Sequence, residues 1–485
     1  MNFPHHIFKA YDIRGVAGDE LDDDLARRIG RALGALARER GVGEFVIGRD
    51  GRISGARLGR AVARGVRDSG CDAIDIGMAP TPVVYHAAAR RRGAVVVTAS
   101  HNPPQYNGMK MMIGDDTLCD DAIQQLKQRV LDDLRDDSRD DDSPNPIARG
   151  ALRHEDAIAA YQQSVLDDIR LARALRIVID CGNGVAGVIA PRLFRALGCE
   201  VVELFCEVDG RFPNHHPDPS RAENLAALIA EVRRAEADFG IAFDGDGDRL
   251  GVVAIAEGEG EGVDGDDAII SPDRLLVLFA QDLLANTPGA EILFDVKCSR
   301  VLPAAIRAHG GVATMCRTGH SFIKNKLRET GAALAGEMSG HIFFNDRWGG
   351  FDDGLYAAAR LCELLAADSR APASVFADLP DAINTPELRV EMNEGEAHQL
   401  IAEITARLQH SDRLPADADF ADADITTVDG IRADFAHGFG LARASNTTPT
   451  LILRFEADSL AQLEDIQSRF RKLLHAARAE LALPF

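Results

Sequence analysis

The chain has 485 residues, enough for about three domains of ordinary size, with 54 Lys plus Arg against 76 Asp plus Glu and a net charge of −22. That acidity repels phosphate polymers and anionic lipid surfaces, which excludes nucleic-acid and membrane partners from the reading. Its content of Leu, Ile, Val and Phe excludes a disordered chain, and eight cysteines without a C-x-x-C pair or regular spacing, in a chain this large, read as buried free thiols and not as a disulfide framework.

No basic start followed by an apolar run marks MNFPHHIFKAYDIRG as a secretory signal, and apolar runs such as Leu275 to Ala280 are too short to span a bilayer. A cytoplasmic protein is expected. Residues 20–40 predict a helix with acids at its start and basic residues at its end, both favourable to the helix dipole. EFVIGRD (44–50) predicts a strand, 56–70 a helix, 71–77 a strand, and GAVVVTASHNP (93–103) a strand running into a loop. The grammar recurs at LRIVIDCGNGVAG (175–187) and AEILFDVKCSR (290–300), each followed by a helix, a glycine and a strand. Each of the three strands ends at an Asp before a small or polar loop, which points to three similar α/β domains in tandem. The acidic run within 131–150 and EGEGEGVDGDD (257–267) read as solvated linkers. After about residue 375 the pattern changes to strand, helix, strands and a closing helix, the mark of a smaller α+β domain with an antiparallel sheet.

Four motifs carry chemistry. DGDGDR (244–249) follows the apolar strand DFGIAF, so Asp244, Asp246 and Asp248 fall at a strand's C-terminal end, where open α/β sheets bind ligands. An EF-hand loop needs Gly and Glu where Arg249 and Ile255 stand, so that reading fails. A solvated acidic turn is the plain alternative, but three crowded acids repel one another without a cation. Three carboxylates fit Mg²⁺, which completes its shell with water and phosphate. TASHNP (98–103) holds Ser100 in a polar loop, with no G-x-S-x-G elbow. Taken alone it is an ordinary loop serine, but a phosphorylated Ser100 would complete the metal's ligands. GEMSGH (336–341) offers Glu337, Ser339 and His341 for sugar hydroxyls, though such triplets also occur in turns, and His320 in TGHSFIK is expected in a strand-end loop. RASNTTP (443–449) gathers Arg443, Ser445, Asn446 and Thr447 as anion donors in a loop, with an ordinary Ser/Asn/Thr turn as the alternative. Lys9, Arg14 and Lys110 add positive charge beside other polar loops.

These four motifs, in this order, resemble the α-D-phosphohexomutase superfamily, and KAYDIRG, GNGVAG, PNHHPDP (213–219) and TGHSFIK match it as well. GEMSGH with SNTTP is most similar to the bacterial phosphomannomutase/phosphoglucomutase branch; phosphoglucosamine mutases typically carry GEQSGH. The resemblance covers the whole chain. It implies three related α/β domains with mixed sheets and a C-terminal α+β domain resembling the TATA-box-binding protein, around a central cleft. Boundaries are expected at 1–152, 153–264, 265–374 and 375–485. It further implies a monomer acting on small hexose phosphates, moving phosphate between the 1- and 6-positions of glucose and mannose through a phosphoserine and a hexose 1,6-bisphosphate. By the same resemblance Ser100 is the phosphoserine and binds Mg²⁺ with Asp244, Asp246 and Asp248. Glu337 and Ser339 bind sugar hydroxyls, and Arg443, Ser445, Asn446 and Thr447 grip the phosphate not being transferred. Tyr11, Arg14, Lys110, Arg249, Lys297, His320 and His341 line the cleft, with Lys110 and His341 as proton-transfer groups and Arg14 supporting phosphate. A phosphoglucosamine mutase, a metal-dependent sugar phosphatase and a non-catalytic sugar-phosphate binder are the rival readings.

Overall fold

The helix expected over 20–40 forms over Asp23–Glu39, capped by Asp22, whose side chain accepts from Leu25 N at 2.8 Å. It packs on the Gly55–Asp68 helix through glycines. A Cβ at Gly65 would lie 1.8 Å from Arg27 O, and one at Gly30 would lie 2.4 Å from Val62 O, so the two backbones touch directly. The computed structural model describes residues 3–135, 148–255, 268–408 and 420–485. The acidic run read as a first linker falls largely on 136–147 and the 257–267 insertion on 256–267, outside the described residues. Among the described residues no helix is long and apolar enough to cross a membrane.

The chain divides into two compact units. Unit 1 is Met1–Leu275 with His320–Asp378, and unit 2 is Leu276–Gly319 with Leu379–Phe485. Unit 1 holds a mixed seven-stranded sheet whose main path is Ile13–Val16, Tyr106–Ile113, Gly93–Val97, Glu44–Arg49, Asp72–Met78 and Leu152–His154. It also holds a five-stranded sheet in the order Ile269–Ile270, Leu250–Val253, Phe239–Phe243, Arg176–Asp180 and Glu200–Leu204. The third recurrence of the strand–Asp–loop–helix pattern is shared out. Its parallel pair Glu291–Asp295 and Val312–Cys316 belongs to unit 2, its hairpin Leu334–Gly336 and Ile342–Phe344 to unit 1.

The strand-end aspartates are fully buried and fix the loops that follow them. Asp50 accepts from Arg52 N at 2.9 Å and Thr98 Oγ1 at 2.7 Å. Asp180 accepts from Gly182 N at 2.8 Å, and Asp295 from Thr318 Oγ1 at 3.0 Å. Arg52, itself buried, then donates to four carbonyls: Ser100 and Asn102 at 2.7 and 2.6 Å, Pro103 and Tyr106 at 2.7 and 2.9 Å. The loop after the Gly93–Val97 strand is thus tied down along its length.

Unit 2 is built on an antiparallel six-stranded sheet, in the order Ile383–Asn384, Thr450–Ala457, Gly438–Ala444, Ile431–Phe435 and Asp424–Thr426, with Leu388–Glu391 also on Thr450–Ala457. The helices Glu396–Leu408 and Leu460–Ala477 cover one face. The other face carries Phe439 and Leu441 against Val296 and Met315. Both faces of the Gly438–Ala444 strand are therefore buried, so it lacks the alternation that marks a half-exposed strand. Buried Arg432 bonds the carbonyls of Val296 and Cys298 at 2.7 and 2.6 Å and stacks over Phe439, while Arg454 reaches Lys297 O. Lys297 Nζ in turn donates to Glu387 Oε2 at 3.0 Å.

Two outcomes follow for stability. Gly65→Ala must push the paired helices apart and loses about 1–3 kcal/mol, whereas Gly59→Ala, whose Cβ meets nothing closer than 3.9 Å, gains up to about 1 kcal/mol of helix propensity; urea unfolding of the two variants checks the opposite signs. The Lys297 ammonium holds the Glu387 carboxyl down at about 2, below the 4.5 of a free glutamate. A depressed carboxyl stabilises the fold above the free value and loses that contribution as pH falls towards 2. Glu387→Gln should flatten this part of the acid-unfolding profile measured by circular dichroism.

Candidate active site

Ser100 sits just past the Gly93–Val97 strand in a left-handed backbone conformation (φ 49°), 1% exposed. Its Oγ donates to Asp244 Oδ2 at 2.7 Å and lies 3.1 Å from His101 Nδ1. The DGDGDR loop approaches it backbone to backbone: a Cβ at Gly245 would stand 2.3 Å from Ser100 O. Gly247, the second spacer, is needed for its own left-handed φ of 78°.

Asp244, Asp246 and Asp248 are fully buried, each offering an oxygen within 4.8 Å of the others. The chain supplies several partial answers to this charge. Backbone N–H groups of Gly247, Asp248 and Arg249 point at Asp244 Oδ1 at 3.1–3.3 Å. Thr81 Oγ1 donates to Asp246 Oδ2 at 2.5 Å, and the Lys110 ammonium bridges Asp246, at 2.7 Å, and Asp248. Burial and its two acidic neighbours still push the Asp244 carboxyl well up, while Lys110, against burial, holds Asp248 down and is itself held well above its ordinary value by Asp246 and Asp248. Asp246 Oδ1 is buried without a hydrogen-bond partner among the described residues, and Asp248 Oδ1 has His341 Nε2 at 3.4 Å. Three converging carboxylates with such an orphaned oxygen fit a hard divalent cation.

A chain of aromatic and charged groups runs from there. His341 lies 3.1 Å from Glu337 Oε2, 2.8 Å from Ser339 Oγ and 3.3 Å from Arg249 Nε. Burial would lower its pKa, but Asp248 and Glu337 raise it to about 9. His320 stacks on it at 5.4 Å, with the Tyr11 ring edge-on at 5.0 Å. Burial and Lys324 lower His320 to about 4, despite Asp352 at 3.1 Å. Arg14 is aimed by Asp12, at 2.6 Å, and reaches Asn102 Oδ1 at 2.7 Å.

Unit 1 thus brings together Ser100, Lys110, Tyr11, Arg14, the three aspartates, Arg249, His320, Glu337, Ser339 and His341. Unit 2 holds Lys297, Arg443, Ser445, Asn446 and Thr447. Arg443 closes the Gly438–Ala444 strand, buried to 4% exposure, with Nε fixed on Asp429 at 2.9 Å and one terminal nitrogen without a partner among the described residues. Asn446 Nδ2 donates to Thr318 O at 3.1 Å, and Ser445 Oγ closes the turn by accepting from Thr448 Oγ1 at 3.0 Å. Arg443 is close enough to Lys297 for its charge to oppose that of the ammonium.

Three placements differ from the sequence expectation. His320 is the first residue of the His320–Thr330 helix, since the polar loop ends at Gly319. Arg443 stands on a strand rather than in the loop, and Lys110 lies mid-strand opposite Val96. Thr81, Asp352 and Lys324 were missed as supporting groups. Lys324 closes TGHSFIK and donates to Asp352 Oδ1 at 2.7 Å, but no spacing announced Thr81, which is 165 residues from the carboxylate it holds.

Comparison with known proteins places the chain in a family. Family models described as phosphoglucomutase/phosphomannomutase alpha/beta/alpha domains I, II and III match residues 5–134, 153–257 and 271–383, and that of the C-terminal domain matches 387–473. The chain is 48% identical to a phosphomannomutase/phosphoglucomutase of Pseudomonas putida over 99% of its length and 98% of the relative's. It is 49% identical to a phosphoglucomutase of Neisseria gonorrhoeae, with 97% of each chain covered. The crystal structure of a phosphoglucomutase/phosphomannomutase family protein from Burkholderia thailandensis superposes with a TM-score of 0.88 at 48% identity, over 99% of both chains. Four matched domains in order, and full-length identity near one half, establish that the chain belongs to the phosphoglucomutase/phosphomannomutase family.

Proposed function

We propose that the protein is a mutase that moves phosphate reversibly between the 1- and 6-positions of glucose and mannose phosphates, through a phosphorylated Ser100 and a hexose 1,6-bisphosphate. The observation that carries the reading is the Ser100 hydroxyl, 2.7 Å from an acidic cluster that fits a divalent cation. Asp244, Asp246 and Asp248 would hold Mg²⁺ together with Ser100. Bound there, Mg²⁺ offsets negative charge on the phosphoryl group in transfer.

The chain's own groups divide the remaining work. Ser100 carries the phosphoryl group and gives it to the free hydroxyl of the sugar phosphate. Lys110, held cationic by Asp246 and Asp248, acts as a fixed positive charge beside the transferring group. His341, protonated at neutral pH because Asp248 and Glu337 outweigh its burial, gives its proton to the sugar oxygen whose phosphate returns to Ser100, and in its neutral form takes the proton of the hydroxyl that attacks phospho-Ser100. Arg14 and Arg249 stabilise phosphate oxygens, and Glu337 and Ser339 bind ring hydroxyls, with Tyr11 and His320 as the wall beside His341. In unit 2, Arg443, Ser445, Asn446, Thr447 and Lys297 grip the phosphate that is not transferred. The guanidinium nitrogen of Arg443 that has no partner among the described residues is a donor already desolvated. After the first transfer the bisphosphate turns over, and its other phosphate returns to Ser100. Strict recognition of phosphate and loose recognition of the sugar's second carbon then give use of both glucose and mannose. The reading also takes the protein as a cytoplasmic monomer, divided at 1–152, 153–264, 265–374 and 375–485.

The test is a coupled assay of glucose 1-phosphate and, in parallel, mannose 1-phosphate, with Mg²⁺ and a trace of glucose 1,6-bisphosphate. Turnover of both, lost on chelation and reduced on the order of a thousandfold or more in Ser100→Ala, is expected; release of inorganic phosphate without 6-phosphate product would replace the mutase with a phosphatase. Arg443→Lys loses the bidentate fork and should lower kcat/KM by about 10- to 100-fold, mainly through KM, in the same assay.

A further inference from the structure

Two cysteine pairs meet among the described residues, Cys199 with Cys362, both buried, and Cys181 with Cys206, whose sulfurs are 3.4 Å apart and of which Cys206 is partly exposed. Cys181 opens the CGNGVAG loop directly after the Arg176–Asp180 strand. Cys206 comes two residues after its parallel neighbour Glu200–Leu204, and Asp180 is in register with Leu204. Both cysteines thus stand just past the ends of neighbouring paired strands, with their sulfurs 3.4 Å apart, and bond formation asks them to close to the roughly 2.05 Å of a disulfide. Cys206 is partly exposed and Cys181 is buried, so an oxidant reaches Cys206 first. The contact with Cys206, and then burial, push the Cys181 thiol well up, which keeps it from reacting on its own.

We propose that Cys181 and Cys206 are a modification site, closing to a reversible disulfide when the folded protein meets hydrogen peroxide. Peroxide transfers one oxygen to Cys206 Sγ, giving a sulfenic acid and water. Cys181 Sγ then attacks that sulfur, the S–O bond breaks, and the leaving hydroxide takes the thiol proton as a second water. Two thiols lose two electrons and two protons, and one peroxide is reduced to two waters; an external dithiol reverses the step. The held apposition of the sulfurs favours this closure over further oxidation of Cys206.

The location gives the bond a reader. Asn183 N donates to Phe205 O at 2.8 Å, and Val185 N donates to Gly245 O at 3.2 Å. The loop that would be cross-linked is thus the one that supports the spacer between Asp244 and Asp246.

The experiment treats the intact protein with a few equivalents of hydrogen peroxide, blocks remaining thiols with N-ethylmaleimide, and digests it for mass spectrometry. A linked Cys181–Cys206 peptide, two hydrogens lighter than the sum of its parts and abolished by dithiothreitol, is expected. The adjacent Cys199 and Cys362, both buried, stay reduced in the folded protein. In Cys206→Ser the link is absent and Cys181 is recovered as a thiol. Sulfinic acid at Cys206 without a link, a Cys199–Cys362 link in its place, or no thiol loss in the unsubstituted protein would each overturn the proposal.

Discussion

Burying three carboxylates within 4.8 Å of one another is the constraint around which this site is organised. Repulsion of that size in a dry interior would expel or neutralise the acids unless opposite charge is supplied. The chain supplies some: the Lys110 ammonium, the Thr81 and Ser100 hydroxyls, three backbone amides, and His341 beside Asp248. That is enough to keep Asp246 and Asp248 ionised but leaves Asp244 raised. The deficit falls on the residue that accepts from the Ser100 hydroxyl, so the charge balance of the cluster is felt at that oxygen.

The scaffold makes this possible by fixing loops with buried polar groups. Asp50 anchors Arg52, and Arg52 saturates four carbonyls of the segment that carries Ser100. A buried guanidinium with five hydrogen-bonded donors is strongly directional, which suits a loop that must hold a left-handed serine. Arg432 does the same in unit 2 for the carbonyls on either side of Lys297. In both units a candidate site residue, Ser100 or Lys297, stands on a loop whose backbone is bonded to an arginine.

The strands, helices and chemical motifs were legible because each rests on local signals. The helix over Asp23–Glu39 has its cap and end charges, and DGDGDR follows an apolar strand. Supporting residues were less legible. Thr81 and Asp352 act across large sequence separations, and a lone Thr or Asp has no pattern. The Gly438–Ala444 strand carries no alternation because both its faces are buried, so the RASNTTP stretch that includes Arg443 has the sequence look of a loop. His320 looked like a loop residue because Gly319, with φ of 136°, ends the irregular segment only one residue earlier.

The two glycines between the aspartates have separate reasons to be there, one spatial and one conformational. At position 245 any side chain would strike the serine's carbonyl, and at 247 any would strain the backbone. Neither reason involves a bound ion. The DGDGD spelling is thus written by the fit between two loops, and a change at residue 245 would first displace Ser100, leaving the carboxylate oxygens chemically intact.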